Sequence, residues 1–195
     1  MRARRWILAT SLVMAVTGAS LLSEQTYLGI KAVVAEFLIR RAWGVELEDG
    51  RPHRPWPWAD MHPVAQLEVP RIGVRRTILA GASGSTLAFG LGHLSGTALP
   101  GERGNCAIAG HRDTRAAFLR ELRPGDGVVI ESLSGQRHYR VTGVTIVTKE
   151  QVQVLDPIDD ARLTLITCYP FSGLLRSPWR YVVTCEAARV PARSS

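Results

Sequence analysis

The residues of this 195-residue chain best suited to chemistry are a cysteine, a histidine and an arginine, each at the end of a β-type run. Cys168 closes Leu163-Thr164-Leu165-Ile166-Thr167 and is followed by Tyr169-Pro170. Proline has no N–H to extend a ladder, so the thiol falls at a sheet rim where a ligand can reach it. His111 follows Asn105 to Ala109, and Arg180 heads Tyr181-Val182-Val183. Taken singly, each has an ordinary explanation. A free cysteine usually packs as a small hydrophobe, and a lone His or Arg at a strand end makes local hydrogen bonds or points into water. Taken together they suit covalent catalysis. A free thiol near pKa 8.5 is only a few per cent thiolate at neutral pH, and a neighbouring imidazole or guanidinium raises that fraction. A fixed guanidinium can also meet an oxyanion.

Strand alternation separates the three cysteines. Cys106 lies five residues before His111 and Cys185 five after Arg180. An odd offset in an unbroken strand puts two side chains on opposite faces. Cys106 and Cys185 are therefore expected to be packing residues, with a disulfide between them the lesser alternative, and Cys168 is left as the nucleophile. A metal site built from His93, His111 and Cys168 is disfavoured because no close Cys/His pair has zinc-ligand spacing.

These side chains need a scaffold. Strand candidates run Val64–Val69, Ile78–Leu79, Asn105–Ala109, Gly127–Ser132, Arg137–Thr148, Arg162–Cys168 and Tyr181–Cys185. Between them stand turn signals such as Gly81-Ala82-Ser83-Gly84, Pro100-Gly101, Pro124-Gly125-Asp126-Gly127 and Asp156-Pro157. Only Thr114–Leu122 has a helical apolar face. Many short strands with frequent turns indicate an all-β barrel or sandwich.

The chain ahead of the strands has a different texture. Arg2, Arg4 and Arg5 precede the uncharged run Trp6–Leu22, about 26 Å long as a helix, against a hydrocarbon layer of roughly 30 Å. Charge on its flanks orients it with the N-terminus in the cytoplasm. A cleaved signal peptide ending near Thr17-Gly18-Ala19 is the competing expectation, and either one exports the rest. Tyr27–Leu38 has roughly helical apolar spacing around Lys31 and Glu36, and Arg51–Trp58 carries three prolines in eight residues, a linker. The net charge of +7 is not a nucleic-acid signal. Residues 1–41 carry six positive and two negative side chains, and residues 42–195 carry eighteen and fifteen, scattered rather than clustered on one face.

The three site segments together resemble a sortase: Leu163–Phe171, Ala109-Gly110-His111-Arg112-Asp113-Thr114, and Arg180 before Tyr181-Val182-Val183. Gly92-His93-Leu94-Ser95-Gly96-Thr97 through Asn105 is similar to the stretch that leads to the sortase histidine. Arg54-Pro55-Trp56-Pro57-Trp58-Ala59-Asp60 and Val69-Pro70-Arg71-Ile72-Gly73-Val74 resemble the sortases of Gram-negative bacteria, class GN. The resemblance covers about residues 54–186.

It implies a closed sortase-type β-barrel of about eight strands with one or two short helices, preceded by a membrane-anchor helix. The expected organisation is anchor and stalk over 1–42, a Pro/Trp-rich linker over 43–62, the barrel over 63–188 and a tail over 189–195. The implied activity is transpeptidation at an LPxTG-like sorting signal, with Cys168 forming a thioester, His111 moving protons and Arg180 holding the oxyanion. Thr167 is a further candidate for the oxyanion and His93 for the substrate side, a structural hydrogen bond being its other expected role. The chain departs from the family at Leu91, where proline is frequent, and at Ser177 in the loop before Arg180, where Arg176 is a rival guanidinium. No cofactor or metal is expected. The implied partners are an exported protein bearing the signal, an amine acceptor and the inner membrane, with the catalytic domain periplasmic. A cysteine peptidase using water, or a tethered β-domain that binds peptide at a sheet edge without catalysis, stays open on the residues alone.

Overall fold

The computed structural model describes Met14, residues 30–172 and residues 177–188. The chain divides into two units, Met1–Phe37 and Leu38–Ser195. A helix, α1, covers residues 30–49. In the first unit its Ile30, Val33, Val34 and Phe37 form an exposed apolar stripe at i, i+3, i+4, i+7 spacing. No helix among the described residues is long and apolar enough to cross a membrane, and the run Trp6–Leu22, Met14 apart, lies outside them.

In the second unit α1 continues past the linker boundary drawn at residue 42, ending at 49. The reason is burial: Ile39, Ala42, Trp43 and Glu46 recur on one helical face and are all buried. Ile39 packs with Met61 and Leu79. The prolines follow as expected, without regular structure over 51–58. Of the linker tryptophans, Trp56 stacks edge-on against Phe89 at 5.2 Å and Trp58 is exposed.

Eight strands make a closed barrel: β1 (Pro63–Val69), β2 (Val74–Ala80), β3 (Leu91–His93), β4 (Gly104–Ala109), β5 (Gly127–Ser132), β6 (Gly135–Thr148), β7 (Ala161–Cys168) and β8 (Trp179–Ala187). Their order round the wall is β1-β2-β3-β4-β7-β8-β6-β5. The β2–β3 and β4–β7 pairs are parallel and the rest antiparallel. The interior is filled by the alternate residues that point inward, among them Leu67, Ile78, Cys106, Ile108, Ile130, Tyr139, Leu163, Leu165, Val183 and Cys185.

Three sequence expectations shift. β2 begins at Val74, four residues before the apolar pair Ile78-Leu79. Its polar start faces out, where Arg75 donates to Gln66 at 2.6 Å and to Glu131 at 3.2 Å across β1 and β5. A short helix, α2 (Gly84–Phe89), and β3 were both absent from the sequence reading. The signal for α2 was its cap: Ser83 accepts from the Thr86 amide at 3.3 Å. β3 has only three residues, too short for any periodicity. The helical run expected at Thr114–Leu122 is a 3-10 segment, Ala117–Glu121, cut short by Pro124. Its Phe118, Leu119 and Leu122 still enter the core.

Candidate active site

The site begins with the backbone register. β7 lies between β4 and β8. On its antiparallel side Cys168 is paired directly with Arg180, so their Cβ atoms are about 5 Å apart. On its parallel side Ala109 is paired with Ile166, and the Gly110 amide donates to the Ile166 carbonyl at 3.1 Å. His111 comes two residues after Ala109, just past the end of β4, the strand that neighbours the one ending in Cys168. The three candidates thus lie at or just past the ends of three adjacent strands, with the cysteine's strand in the middle.

Alternation decides which face they use. Leu163 and Leu165 point into the barrel. Thr164, Ile166 and Cys168 therefore point outward, as do Ala107 and Ala109 on β4 and Val182 and Arg180 on β8. On this outer face Ala107 and Ala109 leave room beside the cysteine's strand. Below Arg180 the face deepens into a cleft of about 210 Å³. Ile166, Val182, Val147, Leu94, Val152, Val154 and Leu155 form its apolar lining. One wall is the 3-10 turn Val152–Leu155, between β6 and β7.

Local interactions hold the chemical groups. Cys168 is half-buried and His111 exposed, so both are reachable from solvent. The His111 carbonyl accepts from the Thr114 and Ala116 amides at 3.3 and 2.9 Å, which turns the chain sharply after the imidazole. Gly110 is required before it: a Cβ there would sit 2.7 Å from Leu91 Cδ2 and 2.8 Å from Ala116 Cβ. The Arg180 Nη1 donates to the carbonyls of Ser177 and Trp179 at 2.9 and 3.0 Å, which steadies the guanidinium against its own loop. The rival Arg176 lies outside the described residues. Tyr169, Phe171 and Tyr181 form an aromatic cluster behind the cysteine, with Phe171 and Tyr181 edge-on at 5.0 Å.

Thr167 and His93 are spent on structure. Thr167 is buried on the inward parity, and its hydroxyl donates to the Gly110 carbonyl at 2.7 Å. Its single donor proton thereby ties the residue before Cys168 to the residue before His111. That proton is committed to a backbone carbonyl. His93, also buried, brings Nε2 to 2.9 Å from the Ala98 carbonyl and 3.2 Å from the Thr97 hydroxyl. Since a carbonyl only accepts, Nε2 carries the proton, and the ring pins the loop between β3 and β4.

The other two cysteines are core residues, and both are free thiols. Cys106 and Cys185 each pair with Leu163, one on either side, so they stand two strand spacings apart, about 9.6 Å. A disulfide needs Cα atoms within about 7 Å, so the bridge is ruled out. Burial pushes both thiols up to about 12. Among the described residues no group of three or more His, Cys, Asp or Glu is arranged to hold a metal ion.

Sequence reasoning missed Asn105, Thr164 and the Val152–Leu155 wall. Their polar contacts join residues about fifty positions apart, and no local pattern announces them.

Comparison with known proteins bears directly on this arrangement. The family model described as the sortase domain matches residues 67–188. Sortase D of Bacillus subtilis (strain 168) is 32% identical over 118 residues, which are 60% of this chain and 60% of that protein. Sortase A from Corynebacterium diphtheriae has a similar structure, with a TM-score of 0.62 and 27% identity over 70% of this chain and 65% of the other. Sortase C-1 from Actinomyces oris gives a TM-score of 0.60 and 32% identity over 67% of this chain and 77% of its own. The chain spans about three fifths of the length of the Bacillus protein. These relatives are Gram-positive sortases and lend no support to the Gram-negative subclass suggested by the linker.

Proposed function

Because the chain belongs to the sortase family, we propose that it is a cysteine transpeptidase that cleaves an LPxTG-like sorting signal and passes the acyl group to an amine. One observation supports this reading: Cys168 at the end of β7 is paired with Arg180 on β8, Arg180 lines an apolar cleft, and His111 follows β4, the strand on the other side of β7. An extended signal laid along this face puts its apolar side chain in the cleft and its scissile carbonyl over the sulfur.

The Cys168 thiolate attacks the threonine carbonyl, and the oxygen that gains the electron pair is met by the Arg180 guanidinium. Collapse of this tetrahedral species breaks the C–N bond. His111 gives its proton to the departing amine, leaving a thioester on the sulfur. The incoming amine then attacks the thioester carbonyl and loses a proton to His111. A second collapse expels the thiolate, and the enzyme is restored with the substrate joined through a new amide. Water in place of the amine gives hydrolysis from the same thioester.

The reading extends to location. Arg2, Arg4 and Arg5 ahead of Trp6–Leu22 support a single-pass inner-membrane anchor with a cytoplasmic N-terminus. The exposed stripe Ile30, Val33, Val34 and Phe37 is suited to the headgroup boundary. The segments Arg54–Asp60 and Val69–Val74 are the support for class GN membership, and with it one dedicated exported substrate in the periplasm.

The test is mass spectrometry of the purified full chain mixed with a panel of signal peptides, with and without a primary amine. A thioester mass on Cys168 that the amine discharges to an amide product is the expected result. Undiminished cleavage after alkylation of Cys168 refutes the mechanism, and release of free acid alone, at any amine concentration, makes the protein a peptidase.

A further inference from the structure

Asn105 and Thr164 are polar, yet 3% and 1% exposed, and both lie on the outer face of the barrel beneath the loop that joins β6 to β7. Their hydrogen bonds are complete. The Thr164 hydroxyl donates to Asn105 Oδ1 at 2.7 Å. The two hydrogens of Asn105 Nδ2 go to the carbonyls of Val154 at 2.9 Å and Asp156 at 3.1 Å. One amide thus bolts the end of the 3-10 turn Val152–Leu155 to β4 and β7. Through this amide the turn's Val154 and the Asp156 that follows it are tied to the barrel wall. Val152, Val154 and Leu155 line the cleft on the side facing Ile166, Val182 and Arg180.

We propose that Asn105 is a positioning residue for substrate selection: by clamping Val154 and Asp156 it sets the width of the cleft, and so decides which apolar side chain of the signal the enzyme accepts. This rests on the transpeptidase reading above. Asn105 touches no reacting atom and acts through Val152–Leu155. Thr164 fixes the orientation of the amide, because its donated proton leaves Oδ1 as the acceptor and turns both N–H bonds toward the loop. A cleft wall released by an ångström or two admits a larger or smaller group about equally. Discrimination by shape in such a pocket amounts to about 10–200-fold, so a slackened wall has that much to lose.

The experiment measures kcat and KM of the full chain on three signal peptides that differ only in the first residue, Leu, Ala or Phe. For Asn105→Ala the expected result is a KM for the Leu peptide raised about tenfold with kcat within about twofold, and a Leu-to-Ala preference in kcat/KM reduced at least about fivefold. Thr164→Val moves the preference the same way by less, and Thr164→Ser, which keeps the hydroxyl, stays at the wild-type ratio. The preference ratio does not depend on the fraction of folded enzyme, so a purely structural role leaves it fixed. Should Asn105→Ala fail to fold, Thr164→Val decides: a changed ratio supports the clamp and an unchanged one overturns it. An unchanged ratio in folded Asn105→Ala likewise overturns it. Failure of the wild-type chain to cleave any of the three overturns the transpeptidase reading instead, and this inference with it.

Discussion

Replacing Thr167 by Val tests the idea that the strand ends are locked together. The substitution keeps the branched shape but deletes the hydroxyl that donates to the buried Gly110 carbonyl. A buried acceptor stripped of its partner costs about 1–3 kcal/mol. For a chain of this size that lowers the Tm by about 5 °C, readable by circular dichroism. The catalytic effect follows from geometry, since Gly110 and Thr167 immediately precede His111 and Cys168. Slack at this junction lets the imidazole drift from the sulfur, and kcat falls about tenfold. Alkylation by iodoacetamide gives a second readout, because it needs the thiolate but no oxyanion donor. Its pH profile shifts in Thr167→Val if the residue positions His111 against Cys168. Were Thr167 instead to bind the oxyanion, kcat would fall about 10²–10³-fold while the Tm and the alkylation profile stayed unchanged. That result would refute the positioning argument.

Arg180→Ala lowers kcat/KM about 10²–10³-fold with little change in Tm, because a rim charge adds little to the core; full activity in that variant, coupled with an inactive Arg176→Ala, would move the guanidinium role to Arg176. Iodoacetamide on the native chain labels Cys168 alone, and all three cysteines react only after denaturation; a second native label would contradict the burial of Cys106 and Cys185. Burial pushes the Glu46 carboxyl up to about 6 even though it accepts from the His53 amide at 2.7 Å. The folded state then holds the Glu46 proton more tightly than the unfolded chain, so stability present below about pH 4.5 is lost as pH rises through about 6. Glu46→Gln removes that loss and stabilises the protein at pH 8, but not at pH 4, by about 1–2 kcal/mol. Equal Tm shifts at the two pH values would refute it.

The catalytic candidates were legible because each depended on a local pattern: a strand run, a following turn and the parity of two side chains along one strand. Parity set Cys106 and Cys185 on the face opposite their neighbouring candidates and left Cys168 by elimination, and the burial of the first two agrees. The barrel class followed from strand number and turn spacing. β3 was invisible because three residues have no period to read. α1 ran beyond its expected end because a buried apolar face, not propensity, sustains residues 43–49.

Sequence by itself determined which residues carry reactive groups, which face of its own strand each occupies, and the family to which the motifs point. Tertiary structure alone decided that Cys168 is paired with Arg180, that Thr167 spends its hydroxyl on Gly110, that Cys106 and Cys185 are held apart by Leu163, and that Asn105 is bonded to the Val154 carbonyl. The physical reason is reach. Side-chain direction along a strand is set by bonds between neighbours, whereas the register between strands joins residues far apart in sequence, such as Ala65 and Ser132, and is settled only when the whole barrel closes around its core.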